Sequence, residues 1–402
     1  MTEIILAIFF ITVLLLFLSS GVWVALSMIG VSAIAMELFT SRPVGDAMAT
    51  TIWGMSSSWT LTALPLFVWM GEILFRTKLS ENLFEGLSPW MQKLPGGLIH
   101  VNVVGCAIFA AISGSSAATV ATVGKMSIPE LRKRNYPEKI LLGSLAGSGT
   151  LGLLIPPSII LIIYGVTVQE SIAKLFIAGI FPGIMIAIIF MTYIVIWSLI
   201  NRNQMPVLKE EIPFIEKIKK SGKLIPIILL IVSVIGSIYS GVATATEAAS
   251  LGVVGALILS FFQKSLTVDS FKKSLLGATK TSCMIGFILA GSTFLSLAMG
   301  FTGLPRNLAI WIDTMELSPY ILIIVLMIFY IILGMFLDGI SAVVLTMAII
   351  EPMIRQAGFD MIWFGIFLVV VVEMAQITPP VGFNLFVLQG MAEKDMGYIA
   401  RS

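Results

Sequence analysis

Gly152-Leu153-Leu154-Ile155-Pro156-Pro157-Ser158 lies inside one apolar run, Ile140–Val168, and Ile377-Thr378-Pro379-Pro380-Val381-Gly382 lies inside another, Met361–Gly390. Each run is long enough for a membrane helix, which needs about 20 apolar residues. Each is nevertheless interrupted by two adjacent prolines. Proline lacks the backbone N–H and clashes with the carbonyl four residues back, so neither run forms one unbroken helix. Unpaired backbone groups cost several kcal/mol in hydrocarbon, so irregular segments persist there only under cover of protein or bound solute. The offset between the two breaks, 379 − 156 = 223, recurs between Pro129 and Pro352. The turns Ser113-Gly114-Ser115-Ser116 and Asp338-Gly339-Ile340-Ser341 are separated by 338 − 113 = 225 residues, within two of the same offset. Three features repeated in one order point to an internal repeat.

The rest of the chain supplies the medium. Apolar residues make up 58% and charged residues 11% of 402, with a mean hydropathy of +1.03. Soluble domains carry about 45–50% and 25%. A soluble enzyme, a coiled coil and a disordered chain are excluded, and the solvent is a lipid bilayer. Lys plus Arg number 24 against 22 Asp plus Glu, a net charge of +2, so no basic surplus suggests nucleic-acid binding. Cys106 and Cys283 sit in separate apolar runs and supply neither a disulfide framework nor a zinc site. With His100 as the one histidine, the chain also lacks the nucleophile–base pair or metal ligands of an intramembrane enzyme. Glu3 stands where a removable signal peptide has its basic start, and no small-residue cleavage site follows, so none is expected.

Apolar runs predict the spans. Ser19-Ser20-Gly21 divides the first run into Ile4–Leu18 and Val22–Phe39. Leu61–Leu74, Leu94–Ile112, Ile140–Val168, Ile172–Ile200, Leu224–Tyr239, Glu247–Phe262, Ser282–Met299, Tyr320–Leu337 and Met361–Gly390 follow. Ala117–Ile128 and Ser341–Ile350 are too short to cross, and are read as the return arms of two re-entrant hairpins. With the N-terminus outside, all of the 24 Lys and Arg except Arg42, Lys174, Arg306 and Arg355 then fall on the inner side, as the positive-inside rule requires. If the short pieces crossed, the basic loops would divide between the two sides. The polar stretch 201–223 separates a first repeat, residues 1–200, from a second, residues 224–402, of opposite orientation. Inverted repeats with broken helices meeting near the midplane mark secondary transporters. The count gives nine crossings and two hairpins, and the repeat predicts one further helix beyond Ser402. The chain is therefore read as ending before its last helix.

The broken segments also suggest a chemistry. Carbonyls freed by the prolines, with nearby hydroxyls, form an oxygen cage suited to a hard cation, as in Na⁺ sites built from unwound helices. Half-helix N-termini beside the cage carry partial positive charge and free N–H groups that suit a carboxylate. No phosphate-binding P-loop is present, so an ion gradient is the expected energy source. Charges within membrane segments are rare and usually functional. Asp338 is the strongest such candidate because it lies at a hairpin tip. Glu72 and Glu373 lie late in their spans, where an interfacial or helix-end role stands beside a functional one. Thr246-Glu247 reads as a helix start, and His100 as the maker of a local hydrogen bond. Glu81–Lys93 and Pro305–Leu317 are amphipathic and read as arms or interfacial helices. The stretch Asn201–Lys223 reads as a solvated linker at an anionic leaflet.

The segments Ile112-Ser113-Gly114-Ser115-Ser116-Ala117, Gly152–Ser158, Gly241-Val242-Ala243-Thr244-Ala245-Thr246-Glu247-Ala248-Ala249 and Ile377–Phe386, with Asp395-Met396-Gly397-Tyr398-Ile399, resemble the large membrane (DctM-like) subunit of the tripartite ATP-independent periplasmic (TRAP) transporters. They cover nearly the whole chain in family order. Thr244-Ala245-Thr246-Glu247 departs from the usual Thr-Pro-Thr-Glu, and the family's last helix is not present. The resemblance implies an all-α polytopic fold similar to the divalent-anion/sodium symporters: an inverted repeat with two re-entrant hairpins and two broken helices, working as an elevator. It implies Na⁺-driven import of an organic acid, such as a C4-dicarboxylate, a sialic acid or a sugar acid, across a bacterial inner membrane. The expected partners are a small four-helix membrane subunit and a periplasmic solute-binding protein. It also implies two Na⁺ sites, one of Ser113, Gly114, Ser115 and Ser116 facing Gly149, Thr150 and Gly152. The other comprises Asp338, Gly339 and Ser341 facing Thr378, Pro379, Gly382 and Asn384. The substrate carboxylate would lie near Ser116, Pro157, Ser158, Val381 and Asn384. The alternative reading is an autonomous divalent-anion/sodium symporter with the same hairpins and no binding protein.

Overall fold

The computed structural model describes residues 2–77, 79–206, 213–313 and 318–402; the regular elements among them are all helices, with no strand among the described residues. In chain order the helices are α1 (Thr2–Ser19), α2 (Val24–Phe39), α3 (Val44–Ser56), α4 (Ala63–Phe75), α5 (Leu79–Met91), α6 (His100–Ser113) and α7 (Ser116–Lys133). Then come α8 (Glu138–Gly149), α9 (Leu151–Leu154), α10 (Ile159–Thr167), α11 (Ile172–Ile200), α12 (Phe214–Ser221), α13 (Ile225–Tyr239) and α14 (Ala245–Phe262). The last seven are α15 (Val268–Thr302), α16 (Leu304–Asp313), α17 (Pro319–Gly334), α18 (Gly339–Gln356), α19 (Met361–Gln376), α20 (Phe383–Ala392) and α21 (Met396–Ala400). Among the described residues six helical stretches are at least 18 residues long and apolar enough to cross a membrane. A seventh is the pair Val44–Ser56 and Trp59–Phe75, bent by 57°.

Hydropathy does not separate core from lipid face, but burial does. Glu138–Thr167 is 89% buried over its apolar window, whereas Ile172–Ile200, the more apolar of the two, is 17% buried. The stretch α8–α9–α10 is therefore the core around which α6, α7, α18 and α19 pack, and α11 presents Phe181, Ile188 and Ile196 outward. A second body forms where α15 packs on α2, α3 and α4, and α14 packs on α4. Helix α4 meets both, because it also packs on α6 and α10.

Several helices extend past the apolar runs that announced them. The pieces read as Ala117–Ile128 and Ser341–Ile350 are the 18-residue α7 and α18, each with its proline, Pro129 or Pro352, inside the helix rather than after it. Helix α18 is long and apolar enough to cross, so shortness does not distinguish it from a span. The run read as Ser282–Met299 is the last part of a 35-residue α15, which starts at a capping box on Thr267 and Ser270 and carries Lys272, Lys273 and Lys280 within it. A cap satisfies otherwise orphaned N–H groups, so the helix propagates through polar residues that end an apolar run. Helix α3 has no counterpart among the predicted spans: Gly45, Asp46, Gly54 and its threonines dilute its hydropathy, and none of its residues is buried.

The stretch read as a solvated linker contains α12, whose Ser221 hydroxyl donates to Gly86 O at 3.0 Å and accepts from Trp90 Nε1 at 2.7 Å. Part of it is therefore fastened to α5, while residues 207–212 of it lie outside the described residues. The amphipathic arms correspond to α5 and α16, and residues 314–317 of the second lie outside the described residues as well. Glu247 does serve a helix start, with Thr244 as the cap rather than Thr246: its carboxylate accepts from Thr244 N at 2.8 Å. His100 Nε2 pairs with Pro95 O at 2.7 Å, the local bond expected of it.

Candidate functional site

Helix α6 ends at Ser113, and only Gly114 and Ser115 separate it from α7, which packs back against it. Gly114 makes this turn with φ of +59°, a left-handed conformation that costs other residues a steric clash, and Ser115 caps α7. The turn docks on the first proline break. Ile159 N donates to Gly114 O at 3.3 Å, and a Cβ on Gly114 would stand 2.7 Å from Pro157 O. On the other side of the break a Cβ on Gly152 would stand 2.6 Å from Ser115 O and 2.7 Å from Thr119 Oγ1. A Cβ on Gly149 would stand 2.0 Å from Val120 Cγ2.

This contact gathers oxygens. Ser113 Oγ and Thr119 Oγ1 are 2.9 Å apart, Thr119 donates to Ser115 O at 2.7 Å, and Ser113 Oγ donates to the same carbonyl at 3.2 Å. Prolines at 156 and 157 deprive the carbonyls of Gly152 and Leu153 of their helical donors. Leu153 O is served instead by the Ser158 hydroxyl, which also caps α10. The cluster is all oxygen, the donor set that hard cations prefer. Thr119 was not among the residues picked from the sequence. The available signal was its position, one turn into the helix that Ser115 caps. Thr150 is buried, but its hydroxyl is used along its own helix, donating to Gly147 O at 2.7 Å. Pro157 and Ser158 are buried behind the turn rather than open to a cavity.

The second turn is built differently. Asp338 caps α18: its Oδ2 accepts from Ile340 N at 3.1 Å and Ser341 N at 3.2 Å. Gly339 lies against Val372 and Gln376 of α19, where a Cβ would stand 2.8 Å from Val372 Cγ1. Thr378 donates to Met374 O at 2.6 Å. Among the described residues no hydrogen bond joins Asp338, Gly339 or Ser341 to Thr378, Pro379 or Gly382. The second break is also exposed at Pro379, Pro380 and Val381, whereas Pro156 and Pro157 are buried. Both Pro-Pro bonds are cis.

Asn384 ties the two regions together. It sits in the first turn of α20, after Gly382 at φ +52°, and is fully buried. Its Oδ1 accepts from Ser116 Oγ at 2.6 Å, and its Nδ2 has no partner. A buried amide N–H without an acceptor is costly.

A cavity of about 590 Å³ lies beside these groups. Ser113, Gly114 and Ser115 of the first turn, Asp338 and Ile340 of the second, and Phe383 line one side; α4 and α15 form the other, with Gly71, Glu72, Thr281 and Met284. No Lys or Arg lines it, and Glu72 is paired with Arg76 at 2.8 Å. Ser116, Pro157, Ser158, Val381 and Asn384 are not among its lining residues. Glu373, near the end of α19, is 2% exposed, with one carboxyl oxygen unpartnered, on the helix that packs against α9, so of the two roles open to it the interfacial one falls away. Its burial is not legible in sequence, because apolar residues on both sides give no sign of which neighbour covers a side chain.

Residues 11–401 match the profile of the family described as tripartite ATP-independent periplasmic transporter, DctM component. The C4-dicarboxylate TRAP transporter large permease protein DctM of Pseudomonas aeruginosa is 33% identical over 372 residues, 92% of this chain and 86% of that protein. The isethionate TRAP transporter permease protein DctMQ of Oleidesulfovibrio alaskensis is 30% identical over 390 residues, 96% of this chain, which spans 60% of that protein's length. Among solved structures, the Alcanivorax borkumensis YdaH transporter superposes with a TM-score of 0.64 over 96% of this chain and 93% of that one. At 11% identity it shares the fold alone.

Proposed function

Because the chain belongs to the DctM-component family of the tripartite ATP-independent periplasmic transporters, and is thus a large permease for secondary transport of organic acids, we propose that it couples the inward movement of its substrate to Na⁺. The family match over residues 11–401 carries the transport reading. The all-oxygen cluster at the first turn supports the ion.

In this reading Ser113, Gly114, Ser115 and Ser116, with Gly149, Thr150, Gly152 and the added Thr119, hold one Na⁺. Asp338, Gly339 and Ser341 hold a second with Thr378, Pro379, Gly382 and Asn384. When bound, the ions supply the positive charge that the cavity lining lacks. The substrate's carboxylate is met by Asn384 Nδ2 and the N-terminal turns of α7 and α20, with Ser116, Pro157, Ser158 and Val381 around it. Relatives named for a C4-dicarboxylate and for isethionate agree with a small organic anion.

Residues 1–200 and 224–402 act as inverted repeats joined by a cytoplasmic segment, with the N-terminus periplasmic; the distribution of Lys and Arg supports this orientation. The α6–α10 and α17–α20 regions move as an elevator against the body of α2–α4, α14 and α15. A small membrane subunit and a periplasmic binding protein complete the importer in the bacterial inner membrane. The name DctMQ of the longer relative agrees with a joined small subunit.

One net positive charge gains about 2.3 kcal/mol per 100 mV, and a tenfold Na⁺ gradient adds about 1.4 kcal/mol per ion. Two Na⁺ with a monoanion therefore yield roughly 5 kcal/mol, or on the order of thousandfold accumulation. The test is uptake by proteoliposomes holding this chain, its small subunit and candidate binding proteins. Accumulation that needs both Na⁺ and the binding protein is expected. Uptake of free acid by this chain alone would favour the autonomous symporter.

A further inference from the structure

Beside the cavity at the two turns lies a second, larger one of about 1050 Å³. Phe75 lines both. Helix α7 runs along both as well, presenting Ala117, Ala118 and Ala121 to the inner cavity and Thr122, Lys125 and Met126 to the outer. A cavity of about 750 Å³ beside Thr50, Ser292 and Glu351 has no turn residue in its lining. Of these two further cavities, the one that shares Phe75 and α7 with the turns is therefore the one that carries Lys125, Arg134 and Lys220.

Most charges in the outer cavity are already paired. Arg76 holds Glu72 at 2.8 Å, Arg134 holds Glu130 at 3.6 Å, Lys220 holds Glu216 at 3.0 Å, and Glu85 holds Lys223. Lys125 has no salt-bridge partner among the described residues. One turn before it, Thr122 is 4% exposed and its Oγ1 has no hydrogen-bond partner. Arg76 Nε is likewise buried and unpartnered. Buried polar groups are normally satisfied. Three donors on one cavity without acceptors describe a place for an oxyanion.

We propose that Arg76, Thr122 and Lys125 form a second carboxylate site, outside the transport site, at which the organic anion pauses after leaving the two turns. This rests on the transport reading above and adds a way-station on the release side. Lys125 supplies attraction at long range, while Thr122 and Arg76 supply directed hydrogen bonds. The inner cavity has no basic residue in its lining, so the electrostatic gradient runs outward along α7.

Thiol labelling tests this without requiring transport. Cys283 is the exposed cysteine and Cys106 is buried, so the full chain with Cys283→Ser and Met126→Cys, in lipid nanodiscs, reports on the outer cavity alone. An anionic methanethiosulfonate should react roughly tenfold faster than a cationic one, as charge focusing in a cleft allows. Lys125→Gln should abolish the preference. Succinate should protect the thiol, and Thr122→Val should weaken that protection several-fold. Equal rates for the two reagents, a preference that survives Lys125→Gln, or no protection by succinate would each overturn the site. Those outcomes leave the import reading standing, which fails only if the assembled importer moves no organic acid. Gln92→Cys, on the opposite wall of the same cavity, repeats the test if Met126→Cys does not fold.

Discussion

Ser116, in the first turn of α7, donates its hydroxyl to Asn384 Oδ1, in the first turn of α20, at 2.6 Å and across 268 positions of chain. Two helix starts from opposite halves of the molecule thus meet at one buried hydrogen bond. Removing one partner of such a bond costs about 1–3 kcal/mol, more than the bond's net worth, because the other is left unsatisfied. Ser116→Ala and Asn384→Ala should each lower the unfolding midpoint in detergent. The double variant should be less destabilised than the sum of the two. Strict additivity would mean that the halves are not coupled through this pair.

Gly152 is held under Ser115 O and Thr119 Oγ1 too closely for any Cβ. Gly152→Ala must push the first turn off the break, and overpacking of this kind costs about 1–3 kcal/mol. Gly236, in α13, has nothing within 4 Å of its would-be Cβ, and alanine there should be neutral or slightly stabilising. Thermal unfolding of the two variants side by side checks the contrast. A harmless Gly152→Ala would show that the turn and the break do not touch.

The same crowding places Ser113 and Thr119 at the oxygen cluster. Thr119→Val keeps the volume and removes one oxygen. Its Na⁺ concentration for half-maximal transport should rise roughly tenfold, the equivalent of one lost ligand interaction of about 1.4 kcal/mol, with maximal rate and membrane insertion retained. Ser113→Ala should act in the same direction. Unchanged sodium dependence in both would remove the ion from this cluster.

Reading the chain without coordinates located both breaks and both turns, because proline and glycine act through the backbone and leave the same mark in any context. It overlooked α3 and shortened α7, α15 and α18, because an apolar-run search ends where polar residues begin, whereas a capped helix continues through them. It also treated the two breaks as equals. Pro156-Pro157 and Pro379-Pro380 look alike in sequence, yet the first is buried under the Ser113–Ser116 turn and the second is exposed. Which side chains cover a break is a matter of tertiary packing, and periodicity carries no record of it. Thr119 escaped, and the burial of Glu373 was not legible, for the same reason: in sequence a mid-helix threonine and a glutamate among valines have no visible partners.

Asp338 has two duties that a single substitution would confuse. Its Oδ2 caps α18 through Ile340 N and Ser341 N, and its charge is one of two acidic groups on the inner cavity. Asp338→Ala removes both, and loss of a cap alone costs about 0.5–2 kcal/mol. Asp338→Asn keeps a capping oxygen, since Asn and Asp cap almost equally well, and removes only the charge. If the carboxylate holds Na⁺, Asp338→Asn should keep the parent's unfolding midpoint yet lose most Na⁺-dependent uptake, while Asp338→Ala loses both. Ser341→Ala, which leaves cap and charge in place, should weaken sodium dependence with little change in stability. Full sodium-dependent uptake by Asp338→Asn, together with a lowered midpoint for Asp338→Ala, would reduce Asp338 to a helix cap and move the second ion elsewhere.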